Sequence, residues 1–249
     1  MLITQTLEKL RTLRLEGMAQ ALEEQRHQND MAPLSFEDRL ALLVERQWLW
    51  RENRALSSRL RNAQFKINAS LEDLDYRPSR GLKRGQIEQL RACPWVKENR
   101  SCLVTGPTGC GKTFLACALG AQACRDGHRT LYYYAPKFFR ALETARADGS
   151  LLPLLKRLSR AALVVVDDLG IASVPDKLYR EFLEMLDDRQ GKGATLITSQ
   201  FPVNQWHEVI ADPTVADAIL DRLVHNSYRI ELKGESMRKG KTTPSENEN

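Results

Sequence analysis

The sequence contains little that would support a disulfide-bonded or metal-stabilised protein. Only five cysteines occur among 249 residues, and no two of them form a C-x-x-C pair. The four histidines are scattered along the chain. Because the cysteines show no C-x-x-C spacing and the histidines form no cluster, we expect free thiols in a reducing compartment and no structural metal.

Long apolar segments are also missing. No apolar run approaches the roughly 20 residues that cross a bilayer. Residues 1–14 are charged and lack the apolar core of a signal peptide. We therefore expect a cytoplasmic protein with no membrane partner. No internal repeat occurs, and a chain of this length can hold one large domain with a smaller appendage.

Positive charge is in modest excess, and its distribution is more informative than its total. The formal net charge is +5, and between residues 46 and 66 six basic side chains accompany a single acid, Glu52. Such a stripe is a candidate contact for nucleic-acid phosphates, and a solvated helix face explains it equally well. Because nothing in it resembles a base-reading motif, binding to duplex DNA should tolerate different sequences. Its basic members are Arg46, Arg51, Arg54, Arg59, Arg61 and Lys66.

The strongest motif occupies residues 106–113. Its sequence, Gly-Pro-Thr-Gly-Cys-Gly-Lys-Thr, matches the G-x-x-x-x-G-K-[ST] loop that cradles nucleotide phosphates. Glycines let the backbone N–H groups turn inward, the lysine can reach the β- and γ-phosphates, and the last hydroxyl can ligate Mg²⁺. A short apolar strand before the loop and a helix after it favour ATP binding over a chance glycine turn. The expected nucleotide contacts are Gly106, Pro107, Thr108, Gly109, Cys110, Gly111, Lys112, Thr113 and Phe114.

A second motif follows about 55 residues later. Four apolar residues, 163–166, are followed by Asp167 and Asp168. Ligands of open α/β sheets bind at the carboxyl ends of strands. Asp167 is therefore suited to hold Mg²⁺, and Asp168 to orient or deprotonate an attacking water. Without the preceding loop, a polar strand end before a turn at Gly170 would explain both acids.

Other candidates are weaker. The apolar strand 194–198 ends in hydroxyls, so Thr198 or Ser199 could contact the γ-phosphate or the water, or could cap the strand end. Arg222 and Arg238 are candidates for contacting a γ-phosphate, including one that is bound by a neighbouring subunit. Isolated arginines are more often surface charges.

Hydrophobic spacing predicts the secondary structure. Helices are expected over 3–28, 35–68 and 83–91, with Ser35 as an N-cap. Trp48 and Trp50 are expected to pack against the first helix, and contact with a partner is the alternative. From residue 101, strands alternate with helices, as in a parallel sheet covered on both faces. The predicted strands are 102–105, 130–134, 163–166, 194–198 and 228–232, and the predicted helices between them are 112–125, 137–147, 175–189 and 213–226.

Taken in order, these segments resemble the AAA+ ATPases of the helicase-loader and initiator clade. The similarity rests on the phosphate loop, the Val-Val-Val-Asp-Asp strand, and the segments Ile-Thr-Ser-Gln, Asp-Arg-Leu and Gly-Glu-Ser-Met-Arg. Within that clade the chain looks most like the IstB-type helper ATPases of insertion sequences. Residues 15–19, 76–82 and 86–90 are particularly similar to that family, and the likeness covers nearly the whole chain except the tail.

The resemblance implies an α/β fold. Its AAA+ P-loop NTPase core would be a parallel five-stranded sheet with helices on both faces, in which strand 194–198 separates strand 163–166 from the phosphate-loop strand. A small all-helical N-terminal domain for DNA binding and assembly would span 1–70, the ATPase domain 71–240 and a disordered tail 241–249. Only 17 residues follow Leu232, too few for the helical lid of typical AAA+ proteins.

The resemblance also implies roles for single residues. Lys112 and Thr113 would belong to Walker A, Asp167 and Asp168 to Walker B, Ser199 to sensor 1 and Arg238 to sensor 2, with Arg222 as the arginine finger that acts on the neighbouring subunit. With ATP and Mg²⁺, a homo-oligomer would assemble on duplex DNA, recruit or stimulate the cognate transposase, and be reset by ATP hydrolysis. Three features differ from typical AAA+ proteins: Asp168 stands where many of them carry Glu, Ser199 stands where Asn is common, and the helical lid is absent. These differences suit a slow, switch-like ATPase more than a processive motor.

Four alternatives stay open. A replicative helicase loader shares the core and differs in its partner, and the absence of cysteine before Cys93 favours the transposition helper. A metabolic kinase would need an arginine-rich lid and an acceptor pocket. A nucleotide-gated binding module would need no hydrolysis. A GTPase is disfavoured because no N-K-x-D motif occurs.

Overall fold

The computed structural model describes residues 2–27, 34–210, 212–225 and 227–237. The chain divides into two compact units, Met1–Ser58 and Arg59–Asn249. Arg238 and the tail 241–249 lie outside the described residues. The same holds for residue 28, where the first predicted helix ends, and for Asn226, where the predicted helix 213–226 ends.

The N-terminal unit begins with two helices where the sequence predicted one over 3–28, so that prediction was wrong. Helix α1 spans Leu2–Thr12 and α2 spans Glu16–His27. Between them Arg14 adopts a left-handed backbone with φ 59°, its N–H bonds the carbonyl of Arg11, and the N–H of Leu15 bonds the carbonyl of Leu10. These two bonds form the Schellman ending of a helix. Glycine usually occupies the left-handed position at such a helix end, but here Arg14 does, so the sequence contains no glycine that would predict the break.

Helix α3, Phe36–Ala63, begins as predicted and ends five residues early. Ser35 caps it, since its hydroxyl accepts a hydrogen bond from the N–H of Asp38 at 3.1 Å. The predicted continuation to residue 68 was wrong, because Gln64 turns to a left-handed φ of 57°. Gly17 of α2 faces α3 so closely that a Cβ there would lie 2.6 Å from the Cβ of Trp50. Trp50 thus packs on α2 as expected, whereas Trp48 is exposed.

The second unit is built on a parallel sheet in the order β2-β3-β4-β1-β5. Its strands are β1 Ser101–Thr105, β2 Thr130–Tyr134, β3 Leu163–Leu169, β4 Ala194–Ser199 and β5 Ser227–Glu231. All five predicted strands are confirmed: β2 has the predicted bounds, and the bounds of the other four agree within three residues. The expected separation of β3 from β1 by β4 is also confirmed. This order places the ends of β1, β3 and β4 side by side.

Helices cover both faces of the sheet, and two apolar clusters form the core, one on each face. The predicted helices correspond to α4 Arg84–Arg91, α6 Lys112–Arg125, α7 Ala135–Ala147, α9 Asp176–Arg189 and α11 Pro213–Val224. Three helices were not predicted: α5 Pro94–Lys97, α8 Leu151–Ser159 and α10 Trp206–Val209. The described residues after β5, 232–237, contain no α-helix.

All five cysteines are buried free thiols. Burial raises the pKa of Cys102 to about 12 and that of Cys117 to about 11, so these groups are neutral packing residues at physiological pH. Within the described parts of the chain, no helix combines the length and the apolar character needed to cross a membrane.

Candidate nucleotide-binding site

The phosphate loop connects the end of β1 to the start of α6. Gly106, Gly109 and Gly111 have φ values of 145°, 83° and 96°, which side-chain-bearing residues rarely adopt. A Cβ at Gly106 would also lie 2.2 Å from the carbonyl oxygen of Leu232. Gly111 precedes the first helical residue, and no side chain caps this helix end. The N–H groups of the first turn are therefore available to an anion such as a phosphate.

Lys112 is 4% exposed, and its ammonium points back into the loop. Its Nζ donates to the carbonyl oxygen of Pro107 at 3.0 Å. This contact keeps the cation beside the loop, where the β- and γ-phosphates of a bound nucleotide would lie. Phe114, also expected to contact the nucleotide, is half-buried against the core on the α6 face.

Thr113 and Asp167, the two predicted Mg²⁺ ligands, lie together. The Thr113 hydroxyl is 2.9 Å from Oδ2 and 3.2 Å from Oδ1 of the carboxylate. Asp167 is fully buried at the end of β3. A hydroxyl and a carboxylate beside a phosphate cradle form the hard oxygen ligand set that Mg²⁺ prefers. The residues present therefore fit the cation that the motif implies.

Two further hydroxyls hold Asp167, one from each neighbouring strand. Tyr132 of β2 donates to Oδ2 at 2.7 Å, and Thr198 of β4 donates to Oδ1 at 2.6 Å. Burial, followed by the negative charge of Asp167, raises the pKa of Tyr132 far above its ordinary value, so the phenol remains a neutral donor. Sequence reasoning did not identify Tyr132, because its role depends on the pairing of β2 with β3.

Asp168 lies at an irregularity in the β3–β4 pairing, between Val166 and Leu169. Its backbone is left-handed, with φ 62°, and its N–H donates to the Thr198 hydroxyl at 2.8 Å. A bulge re-aims the side chain that it carries. Asp168 is only half-buried, unlike Asp167, so consecutive acids at the same strand end occupy different environments.

Ser199 and Gln200, at the end of β4, make different kinds of contact. The Ser199 hydroxyl donates to the carbonyl of Leu169 at 2.8 Å and accepts from the N–H of Phe201 at 3.2 Å, so it serves the local backbone. Gln200, which sequence reasoning missed, reaches the phosphate loop, and its Oε1 accepts from the Thr108 hydroxyl at 2.6 Å. A signal for it was present in Ile-Thr-Ser-Gln, whose last residue leaves the strand toward the ligand edge.

Arg80 is the third residue of the site that sequence reasoning missed, because it was assigned to a linker. It is only 9% exposed, and its guanidinium donates to the carbonyl of Cys110 inside the phosphate loop and to Asp75 Oδ2 at 3.3 Å. The carbonyl of Arg80 accepts from the N–H of Lys233 at 2.9 Å. Hydrogen bonds from Arg77 and, secondarily, Arg80 hold the pKa of Asp75 far below its usual range. A fixed cation therefore supports the loop from outside.

The two candidate arginines are not brought to the loop by any described contact. Arg222, at the end of α11, bonds Asp187 of α9 and donates to the carbonyl of Ala218 at 3.1 Å. Arg238 lies outside the described residues, although the N–H of Met237 donates to the carbonyl of Gly109 at 3.1 Å.

The basic stripe is not uniform. Arg46 pairs with Glu24 at 2.7 Å, and Arg54 lies over the ring of Trp50. Arg59 donates to the carbonyl of Cys124 at 2.8 Å, which occupies it within the protein. The residues of the stripe that remain exposed are Arg46, Arg51, Arg54, Arg61 and Lys66.

A phosphate loop between β1 and a helix, two carboxylates at the end of β3, and the strand order of the sheet together define a P-loop nucleotide-binding protein with an AAA+ core. The family of IstB-like ATP binding proteins matches residues 8–245, so the chain belongs to that family.

Individual relatives agree with this assignment. A putative insertion sequence ATP-binding protein of Sinorhizobium fredii is 45% identical over 96% of this chain and 98% of its own length. The IS21 putative ATP-binding protein of Pseudomonas aeruginosa is 30% identical over 92% of this chain and 86% of its own.

Among solved structures, the chain is similar in fold to DnaI, with a TM-score of 0.57 and 24% identity over 71% of this chain and 94% of that one. It also resembles AMPPCP-bound DnaA from Aquifex aeolicus, with a TM-score of 0.58 and 18% identity over 70% of this chain and 53% of that one. At these identities the structural likeness concerns the fold alone.

Proposed function

We propose that this protein is an ATP-hydrolysing, DNA-binding helper of DNA transposition. The observation that carries the proposal is the contact of Thr113 with Asp167 at 2.9 Å beside an uncapped helix N-terminus. The family supports the biological setting, because its relatives are named as insertion sequence ATP-binding proteins. ATP and Mg²⁺ are the proposed cofactors.

In the proposed reaction, the loop N–H groups and Lys112 bind the phosphates while Thr113 and Asp167 hold Mg²⁺. The metal would neutralise charge on the β- and γ-phosphate oxygens. Asp168 orients a water and accepts its proton as the water oxygen attacks the γ-phosphorus. The bond to the bridging oxygen of ADP breaks, giving ADP and phosphate. Gln200 is better placed than Ser199 to sense the γ-phosphate, because its amide already reaches Thr108.

Arg222 and Arg238 keep their proposed roles, with different support. Because the contacts of Arg222 lie on α9 and α11 and not on its own phosphate loop, action on a neighbouring subunit in a homo-oligomer is the role that fits it. Its bond to Asp187 would have to break for that purpose. Arg238 follows Met237, whose backbone bonds Gly109, so the chain approaches the loop immediately before this residue.

We further propose that residues 1–70 contact duplex DNA and support assembly. The exposed guanidiniums of Arg51, Arg54 and Arg61 on α3 would contact phosphates, without reading bases. The test is fluorescence anisotropy of a random-sequence duplex with the full chain in AMPPNP or ADP, over a range of salt. We expect a steep salt dependence and tighter binding with AMPPNP than with ADP, and the difference between the nucleotides should be lost in Lys112→Ala. Equal affinity in both nucleotides would contradict ATP-controlled assembly.

A replicative helicase loader is the second candidate, because the fold also resembles that of the DnaC helicase loader, with a TM-score of 0.50 and 19% identity over 70% of this chain and 99% of that one. Affinity capture with a purified cognate transposase and with purified replicative helicase separates the two candidates. We expect AMPPNP-dependent capture of the transposase. Capture of the helicase alone would reverse the choice.

A further inference from the structure

The carboxylate of Asp167 is held from both sides of β3. Thr198 donates to one oxygen at 2.6 Å and Tyr132 to the other at 2.7 Å. The proposed reaction uses Thr113, Asp167 and Asp168 but gives Tyr132 no part. Its phenol is nonetheless buried and aimed at the metal ligand. A donor on each oxygen fixes the plane of the carboxylate, as hydrogen-bond partners of metal ligands commonly do.

The ring of Tyr132 is itself positioned by Phe65. The two rings meet edge to face, with centroids 6.1 Å apart and planes 62° apart. Phe65 also lies against α6, the helix that begins at Lys112, since a Cβ at Gly120 would lie 2.5 Å from its Cε1. One aromatic ring therefore contacts both the phosphate-loop helix and the tyrosine that bonds Asp167.

The position of Phe65 is set by the segment that follows α3, which contacts on both sides of Phe65 hold in place. Gln64, with φ 57°, ends the helix, and contacts on either side secure the segment. Before it, Arg59 donates to the carbonyl of Cys124 at 2.8 Å. After it, the ammonium of Lys66 lies 4.8 Å from the centre of the Tyr134 ring. All these residues belong to the unit Arg59–Asn249.

We propose that Tyr132 is a positioning residue for the metal ligand Asp167, and that Phe65 ties it to the C-terminal end of α3. The inference rests on the proposed function in one respect, the binding of Mg²⁺ by Asp167. The consequence is regulatory. When the C-terminal end of α3 changes position, Phe65 moves and displaces the Tyr132 hydroxyl. Asp167 then binds Mg²⁺ more weakly. The exposed Arg61 lies on this same end of α3, so one proposed DNA contact belongs to the same unit as the metal site.

Tyr132→Phe tests the first step, and Tyr133→Phe is its matched control. Tyr133 is the next residue on β2, and its hydroxyl has no hydrogen-bond partner among the described residues. With AMPPNP bound to the full chain, Mg²⁺ is titrated and the unfolding temperature is followed. Mn²⁺ binding is measured in parallel by electron paramagnetic resonance. We expect Tyr132→Phe to need about 10-fold to 100-fold more metal for half saturation. Tyr133→Phe should match the wild type, and affinity for AMPPNP in EDTA should stay unchanged in both.

Phe65→Leu tests the link to α3. Leucine keeps apolar volume against Gly120 but loses the ring contact with Tyr132. We expect a weaker metal affinity in Phe65→Leu, and no additional loss when it is combined with Tyr132→Phe, because both act through the same hydroxyl. Additive losses would overturn the link.

The outcomes distinguish this inference from the proposed function. The inference alone would be overturned if Mg²⁺ stabilises the wild type but Tyr132→Phe and Tyr133→Phe need the same metal concentration for half saturation. A wild type that binds AMPPNP but shows no effect of Mg²⁺ or Mn²⁺ would overturn the metal site and, with it, the proposed hydrolysis.

Discussion

Replacing Arg80 by methionine should weaken ATP binding, although every residue of the phosphate motif itself stays unchanged. Methionine keeps most of the buried apolar stem but removes the donors to the Cys110 carbonyl and to Asp75. A buried hydrogen bond from a charged donor contributes about 1.5–3 kcal/mol. If about 1.5 kcal/mol of this holds the loop in its binding conformation, the dissociation constant for ATP rises about 10-fold.

Arg77→Met is the matched control. Arg77 bonds the same carboxylate, with its Nε 2.8 Å from Asp75 Oδ2, but it is exposed, and within the described part of the chain it makes no hydrogen bond to the loop. We would measure binding of a fluorescent ATP analogue to both variants in EDTA, and their unfolding temperatures without nucleotide. Arg77→Met should stay within about 2-fold of the wild type, since an exposed ion pair contributes less than about 1 kcal/mol. Equal affinities for the two variants would refute the reasoning.

Three further predictions concern stability, catalysis and DNA. Arg189 is buried and donates to three backbone carbonyls, so Arg189→Met should lower the free energy of unfolding by about 3 kcal/mol and the unfolding temperature by roughly 6–12 °C. Arg157 is exposed, so Arg157→Met should leave the unfolding temperature unchanged. A calorimetric scan of Arg189→Met that equals that of the wild type would contradict this prediction. Asp168→Asn should reduce hydrolysis at least about 100-fold while AMPPNP still binds, and normal turnover would exclude it as the base. Arg54→Glu with Arg61→Glu should weaken anisotropy-measured binding to every duplex and flatten its salt dependence, and unchanged affinity would remove α3 from the DNA surface.

The strands and the phosphate loop could be predicted because their signals are local. A run such as 163–166 is apolar enough to be a buried strand, and glycines at fixed spacing identify the loop. The two helix endings at Arg14 and Gln64 could not be predicted, because both adopt left-handed backbones without glycine or asparagine. Helix α8 was missed because its leucines follow the predicted helix 137–147 after only a short turn.

The residues missed in the site depend on long-range contacts. Arg80 meets Cys110 across 30 positions of sequence, and Tyr132 meets Asp167 across 35. Neither spacing belongs to a motif, and only strand pairing and the path of the linker bring the groups together. Lys112, Thr113 and Asp167 were found because their chemistry follows from a short pattern that fixes its own geometry.

The most direct test of the central claim is steady-state ATP hydrolysis by the full chain, with and without random-sequence duplex DNA at low salt. If assembly on duplex brings Arg222 of one subunit to the nucleotide of the next, hydrolysis should rise steeply with DNA. An arginine supplied in this way contributes about 10³–10⁵ in rate. The stimulation should disappear in Arg222→Ala, while binding of AMPPNP remains. Hydrolysis that is the same with and without duplex, or equal stimulation in Arg222→Ala, would contradict the account.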